Sequence, residues 1–542
     1  LPDVARRGFL GLAAALGGTA AGLTVAPVTT EKAVAETVSG GGSCPPLPGA
    51  VTVTRDDPRY AYLSTRGLNT RFSNQPDSIH QVFSTEQVRQ VVEDAVRAGR
   101  RIAVRSGGHC LESLVDNPEV RSVIDLAEMN EVYYDPARQA FAAEAGAQLG
   151  QVYRSLYLGY GVTIPGGTCP TVGLGGYVSG GGFGAMCRQH GLIVDHLYAV
   201  EVVVVDSAGR ARTVVATREP SDPNRELWWA HTGAGGGNFG VVTRYWFRAP
   251  GAQGDDPTTL LPKPPRTILR TTVSWPWSGM NEASFARLVR NHGEWHARNS
   301  GDGSPYASLF SGLYLNQRIV GAVTLDALID GSLPNAQALM DDYVAALNAG
   351  VTAPSTVTNR TAPWLASTLA GLADPGMYSR AKGKGAYLRK PYTDAEIATV
   401  WKHVSDPAYN GRALVLLYSY GGKVNTVAPS ATAVPQRDSI IKSYIGTYWA
   451  DPNEDAKHVD WIRGFYQELY AGTGGVPLSN DSTDGSYINY PDVDLLDSQW
   501  NRSGVPWHTL YFKDNYPRLQ QVKARWDPRN VFRHALSVQA PG

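Results

Sequence analysis

Two glycine-rich segments carry the side chains best suited to chemistry. The first, Val104-Arg105-Ser106-Gly107-Gly108-His109, follows a β-branched run and sets two glycines before a histidine. Glycines there let successive backbone N–H groups turn toward an anion, as in loops that cradle a pyrophosphate, and Arg105 can add charge. An ordinary strand-to-helix turn with His109 as a satisfied polar residue fits the same spacing. The second segment, residues 165–184, holds Cys169 and nine glycines, among them Gly173, Gly175, Gly176, Gly180, Gly181 and Gly182. Each glycine costs backbone entropy on ordering, so a ligand that approaches the chain along this whole stretch is expected. Interleaved apolar and aromatic residues, with proline at the start, exclude a flexible linker. A third segment, Gly235-Gly236-Gly237-Asn238-Phe239-Gly240, matches G-x-G-x-x-G literally. A dinucleotide-binding turn of that kind must open a helix, whereas this one runs into Val241–Phe247, a β-branched and aromatic strand pattern. NAD binding is disfavoured on that ground.

Arg105-Ser106-Gly107-Gly108-His109, Gly167-Thr168-Cys169-Pro170-Thr171-Val172-Gly173-Leu174-Gly175-Gly176, Gly237-Asn238-Phe239-Gly240 and Trp526-Asp527-Pro528-Arg529-Asn530-Val531-Phe532 occur together in this order. The set resembles the berberine-bridge-enzyme-like branch of the FAD-linked oxidases, which carry a p-cresol-methylhydroxylase-type flavin domain. The likeness covers essentially the whole chain after residue 43. It implies FAD held by two covalent bonds, His109 to the 8α-methyl carbon and Cys169 to C6, and both residue types are competent nucleophiles. It further implies cofactor contacts from Arg105, Ser106, Gly107, Gly108, Val172, Gly173, Gly175, Gly176, Gly180, Gly181, Gly182, Gly237, Asn238, Gly240, Val242 and Tyr490. Val172 stands where a small residue in relatives gives oxygen room to reach the flavin, which favours an oxidase over a dehydrogenase. The chain departs from many relatives in having Tyr177 in place of His and Phe183 in place of Tyr. A cofactor fixed by two bonds is retained in an open cleft, and an open cleft admits a large substrate.

Alcohol oxidation by flavin removes a hydride from carbon while a base takes the hydroxyl proton. Two tyrosine clusters qualify. Strand alternation in Leu416-Leu417-Tyr418-Ser419-Tyr420-Gly421-Gly422-Lys423 puts Tyr418 and Tyr420 on one face. Tyr487-Ile488-Asn489-Tyr490-Pro491-Asp492 packs polar groups just before the chain returns to the flavin domain. By analogy with the family, Tyr490 is the expected base, with Tyr418 or Tyr420 as its partner or as a second base. Packing of these rings in the core is the alternative. A tyrosine titrates near 10, so a base at neutral pH needs a neighbouring charge, for which Lys423 is a candidate. Trp228 and Trp229 read as core.

The elements that must position these residues form an α+β pattern. Residues 86–98 read as a helix, 101–104 and 200–205 as strands; after the break Leu261-Pro262-Lys263-Pro264-Pro265, strands at 267–275 and 413–420 flank helices at 281–298 and 333–348. The expected organisation is a leader and disordered segment at 1–43, an FAD-binding domain at 44–255, a substrate domain at 256–495 with an antiparallel sheet covered by helices, and a segment at 496–542 returning to the FAD domain. Loops 299–305 and 352–363 carry no spacing signal. A chain of 542 residues with 49 basic and 49 acidic side chains has no charge bias toward nucleic acid or an anionic membrane. Its 13 Trp, 27 Tyr and 58 Gly suit a large planar ligand.

Ala5-Arg6-Arg7-Gly8-Phe9-Leu10, the apolar stretch to Ala26 and Ala33-Val34-Ala35 outline a twin-arginine leader and hence a secreted protein; a membrane anchor is the weaker reading, the stretch being glycine-rich. Cys44, Cys110, Cys169 and Cys187 match neither a zinc knuckle nor a C-x-x-C pair, so no metal is expected and disulfides stay open. The expected activity is oxidation of a secondary alcohol on the sugar of a glycosylated antibiotic to a carbonyl, with or without further dehydrogenation, molecular oxygen leaving as hydrogen peroxide. An oligosaccharide or hexose oxidase acting at C1 or C6, and a flavoprotein that sequesters an antibiotic without turnover, are the alternatives. Neither the oligomeric state nor the particular glycoside can be read from these residues.

Overall fold

The computed structural model describes residues 49–370 and 379–542. Arg6, Arg7 and Cys44 lie outside them. Among the described residues the strands form three sheets, and no helix is long and apolar enough to cross a membrane.

The first sheet holds β1 (Val51–Thr54), β2 (Ser78–Gln81), β3 (Ile102–Arg105) and β4 (Ser122–Asp125) in the order β1-β2-β4-β3. The helix Thr85–Arg97 joins β2 to β3. The Ser84 hydroxyl caps it by accepting from the Gln87 N–H, and Val88, Val91, Val92 and Ala95 bury its apolar stripe. β2, β4 and β3 run parallel, so β3 delivers Arg105 and the glycines after it to one end of the sheet.

The second sheet is antiparallel, in the order β5-β6-β9-β7-β8, with β5 (Val132–Asp135), β6 (Ala140–Glu144), β7 (Leu197–Val205), β8 (Ala211–Thr217) and β9 (Val241–Phe247). The central strands β7 and β9 are covered on both faces, which is why their sequences are nearly continuous apolar runs. β9 is the strand expected after Gly240, so the glycine run of residues 235–240 opens a strand and not a helix.

β10 (Thr267–Pro276), β11 (Phe310–Asn316), β12 (Ala322–Asp330), β13 (Thr356–Pro363), β14 (Arg380–Leu388), β15 (Arg412–Ser419) and β16 (Ile441–Trp449) form a seven-stranded antiparallel sheet ordered β13-β10-β12-β11-β15-β16-β14. β12 shows its logic: Val323, Leu325, Ala327 and Ile329 are buried at every second position under helices. β13 falls in the stretch that had no spacing signal. It is an edge strand whose residues are almost all exposed, so it has no buried face to impose alternation.

After β16 the chain returns to the first two sheets through the helix Tyr516–Trp526. The buried Lys523 amine donates to the carboxylate of Asp527 (2.7 Å) and to the carbonyls of Asn238 (2.8 Å) and Phe532 (2.6 Å). One ion pair thereby fastens the C-terminal turn onto the loop before β9. Trp228 and Trp229 are core residues, as expected.

Candidate active site

All three glycine segments open onto one cavity of about 430 Å³, which also reaches Phe310, Tyr418 and the turn Tyr487–Tyr490. Their mutual approach explains much of their composition. A Cβ on Gly107 would sit 2.3 Å from the backbone nitrogen of Gly173, and one on Gly173 would sit 2.2 Å from that of Gly107. The two backbones therefore touch, and only glycine permits it. That contact carries His109 to Cys169: the Thr171 hydroxyl oxygen is 3.1 Å from His109 Nε2 and 3.4 Å from Cys169 Sγ. Burial pulls the His109 imidazole down to about 4, so at neutral pH it is an uncharged nucleophile.

His109, Cys169, Arg105, Ser106, Gly107, Gly108, Val172, Gly173, Gly175, Gly176, Gly237, Gly240, Val242, Tyr418 and Tyr490 line the cavity. Two of these are committed elsewhere by their side chains. Arg105 pairs with Asp116 at 2.6 Å and donates to the Leu63 carbonyl, and the Ser106 hydroxyl donates to the Ala145 carbonyl at 2.6 Å. Arg105 is thus a buried strut and not a free cation. Four expected contacts lie off the cavity. Gly180, Gly181 and Gly182 press against Asn489, Val434, and Ile193 with Tyr177. Asn238 spends its amide on the carbonyls of Ala234 and Gly235 and accepts from the Val538 N–H. Several glycines of this stretch therefore serve the protein's own packing.

Other glycines do face open space. A Cβ on Gly176 would meet nothing within 4 Å, and one on Gly236 only the Cα of Gly176 at 3.7 Å. Side chains there would fill the cavity. A glycine-lined floor with few charged groups around it fits a planar isoalloxazine.

The tyrosines come from the seven-stranded sheet and the turn that covers it. Register places Gly312, Tyr418, Lys442 and Tyr387 in one row across β11, β15, β16 and β14, and Tyr314, Leu416, Tyr444 and Gly385 in the next. Tyr490 lies on Tyr444 (ring centroids 4.7 Å apart) and beside Tyr487 (5.1 Å). Asn489 holds this turn by donating to the Tyr177 carbonyl and to the Tyr487 hydroxyl. Tyr418 stacks on Phe310 and meets Phe183 edge-on. Tyr420 shares that face but does not line the cavity, and its hydroxyl donates to the Gln436 carbonyl. Between the two, Tyr418 is the one that reaches the site.

Lys423 is exposed on the short 3-10 helix Gly422–Thr426 and does not line the cavity, so it cannot serve as the perturbing charge. The residue that sequence reasoning missed is Lys442. Its amine sits 2.9 Å from the Tyr487 ring centre, 3.7 Å from that of Phe183 and 5.5 Å from that of Tyr490. It has no hydrogen-bond partner among the described residues. Burial holds the amine well below the ordinary lysine range and the Tyr490 and Tyr418 phenols well above the tyrosine range. A lysine in a strand that otherwise holds no charged residue was the available signal. Tyr487 and Thr171 were also passed over for any role.

Residues 76–214 match the family described as FAD binding domain, and residues 486–539 the family described as berberine and berberine like. The aclacinomycin-N/aclacinomycin-A oxidase of Streptomyces galilaeus is 56% identical over 544 residues, covering 100% of this chain and 99% of that protein. The chain belongs to the berberine-bridge-enzyme-like FAD-linked oxidoreductases. Within this family, the crystal structure of aclacinomycin oxidoreductase superposes with a TM-score of 0.89 at 57% identity, over 91% of this chain and all of that one. A glycopeptide hexose oxidase in complex with teicoplanin gives 0.88 at 51% identity over 92% and 100%. The α+β fold, the p-cresol-methylhydroxylase-type flavin domain, FAD as cofactor and action on CH–OH groups follow from this membership. When bound, FAD supplies the acceptor for the hydride.

Proposed function

We propose that the protein is an oxidase whose FAD is bonded to both His109 and Cys169, and that it oxidises a secondary alcohol on the sugar of a glycosylated antibiotic to a carbonyl. Dioxygen is the electron acceptor and leaves as hydrogen peroxide. The observation that carries the reading is that one cavity is lined both by His109 and Cys169 and by Tyr490 and Tyr418. The likeness to proteins named for aclacinomycin and for a teicoplanin complex supports a bulky glycoside.

In this mechanism Tyr490 takes the hydroxyl proton of the substrate, while Tyr418 orients the same hydroxyl or serves a second oxidation. Removing that proton needs a phenol made more acidic than burial alone leaves it. Lys442 answers the need. Whenever its amine is protonated, the ring faces of Tyr487 and Phe183 stabilise the ammonium, and its charge, 5.5 Å from the Tyr490 ring centre, favours the phenolate. Phe183 is an electron-rich face in this arrangement and not a proton carrier.

The test is anaerobic mixing with deoxysugar glycosides, oligosaccharides and simple alcohols. Flavin bleaching and, on admitting air, stoichiometric peroxide with glycosides are expected. Bleaching with oligosaccharides alone would move the substrate class to free sugars, and silence with all three would leave a sequestering flavoprotein.

A further inference from the structure

Thr171 stands between the two nucleophiles and touches both. We infer that it is a positioning residue for both flavin bonds: its hydroxyl accepts the Nε2 proton of His109 and donates its own proton to the Cys169 sulfur. The inference rests on the proposed double attachment and says how one chain prepares two different nucleophiles at once.

A neutral imidazole has one N–H and one lone pair, and the hydrogen bond made by the first decides where the second points. With Nε2–H directed at Thr171, the lone pair is on Nδ1. A thiol reacts as its thiolate, and a hydroxyl donor to sulfur favours that form. Threonine is suited to do both, because its oxygen accepts while its own hydrogen donates.

The hydroxyl is held in place by its backbone. Pro170 precedes it, the Pro170 carbonyl accepts from the Gly150 N–H at 2.8 Å, and the Val172 carbonyl accepts from the Leu149 N–H at 2.9 Å. Its other side is closed by the contact between Gly107 and Gly173.

The chemistry balances with dioxygen as the oxidant. In the first attachment a C–H bond of the 8α-methyl breaks and the bond from carbon to imidazole nitrogen forms. The methyl proton, the Nε2 proton passed to Thr171 and two electrons leave with one dioxygen as hydrogen peroxide. In the second, the C6–H and S–H bonds break and the C–S bond forms. Two protons and two electrons again leave as hydrogen peroxide.

The experiment is intact-mass and peptide mapping of the purified holoenzyme after acid precipitation, for the wild type, Thr171→Val, Thr171→Ser and Thr171→Ala. Loss of one charge-assisted hydrogen bond corresponds to roughly tenfold. Thr171→Val and Thr171→Ala are therefore expected to lower the share of doubly attached flavin by about that factor, with Thr171→Ser near wild type. Thr171→Ala adds no atoms and serves if the valine variant fails to fold. Thr171→Ser restores the hydroxyl without the methyl, so recovery there beside loss in both other variants assigns the effect to the hydroxyl, whereas equal loss in all three would mark a packing defect and overturn the inference. Wild-type levels of doubly attached flavin in Thr171→Val or Thr171→Ala would overturn the inference. A wild-type protein that releases all its flavin into acid would instead overturn the double attachment on which it rests.

Discussion

The two halves of the site are built from opposite materials. The flavin half depends on close backbone: Gly107 against Gly173, and Gly176 and Gly236 facing open space, among aliphatic side chains such as Leu126 and Val172. The substrate half is mostly side chain: Tyr418, Tyr444, Tyr487 and Tyr490 around Lys442, raised on paired strands. A backbone surface is fixed by the fold and cannot be retuned without disturbing it. Side chains on a sheet can be exchanged one at a time, because the ladder beneath them holds register regardless. One cofactor can thereby be kept while substrates differ.

The sharpest way to break this contrast is to add one methyl group on each kind of glycine. Gly107→Ala puts a Cβ 2.3 Å from a backbone nitrogen that has no slack. A cost of at least about 3 kcal/mol is expected from overpacking, with loss of soluble yellow protein. Gly176→Ala meets nothing within 4 Å and should fold, with its methyl directed into the cavity and its flavin content reduced. Equal folding of the two, measured by urea melts, would show that the backbone contact does not control the flavin half.

On the substrate side, Tyr490→Phe keeps the ring over Tyr444 and removes the proton acceptor. A fall in kcat of about 10²–10⁴ is expected, with acid-stable flavin unchanged. Retained turnover would pass the role to Tyr418.

Between these effects lies one of pH. His231 lines the cavity, hydrogen-bonds the Leu227 carbonyl and is pulled down to about 4 by burial. Below pH 6.5 the unfolded chain binds a proton there that the folded chain refuses until about pH 4, so stability falls as pH drops through that window. The contribution at pH 5 is about 2 kcal/mol. His231→Gln should lose that much less stability than the wild type between pH 7 and pH 5 in urea melts. Parallel curves would mean that His231 titrates normally.

Lys442→Met tests the effect of the charge at constant shape. It keeps the length of the side chain among Phe183, Tyr487 and Tyr387 but cannot carry a charge. A decline in kcat of about 10–100-fold is expected, recovering toward alkaline pH where the phenol ionises unaided. An unaltered pH profile would reduce Lys442 to a packing residue.

The same contrast governs how much could be read from sequence. Glycine density, the order of motifs and the strand after Gly240 were legible because each is a local backbone constraint. His109 and Cys169 could be placed together because the motifs that carry them resemble the family's ordered set, and Tyr490 by analogy with that family. The purpose of individual glycines could not be read. Gly182 and Gly176 look alike in sequence, and only the fold puts Ile193 and Tyr177 against one and empty space against the other. Lys442 escaped for a related reason: its neighbours Tyr387, Tyr418 and Tyr487 come from other strands and a distant turn. The pairing of Arg105 was equally hidden, because Asp116, its partner, lies in the loop that follows.

The smallest effect concerns the residue that strand alternation treated as the twin of Tyr418. Tyr420 lies just past β15, is fully buried, and its hydroxyl reaches the Gln436 carbonyl at 3.3 Å. Tyr420→Phe removes one neutral hydrogen bond, worth about 1 kcal/mol of stability. Its ring remains against Tyr387, so the floor under Lys442 keeps its shape. Turnover within about threefold of wild type is expected, with Tyr418→Phe measured beside it and falling further. If the two variants lose activity equally, the substrate hydroxyl is served from both ends of the strand, and the site extends past Phe183 toward Gln436.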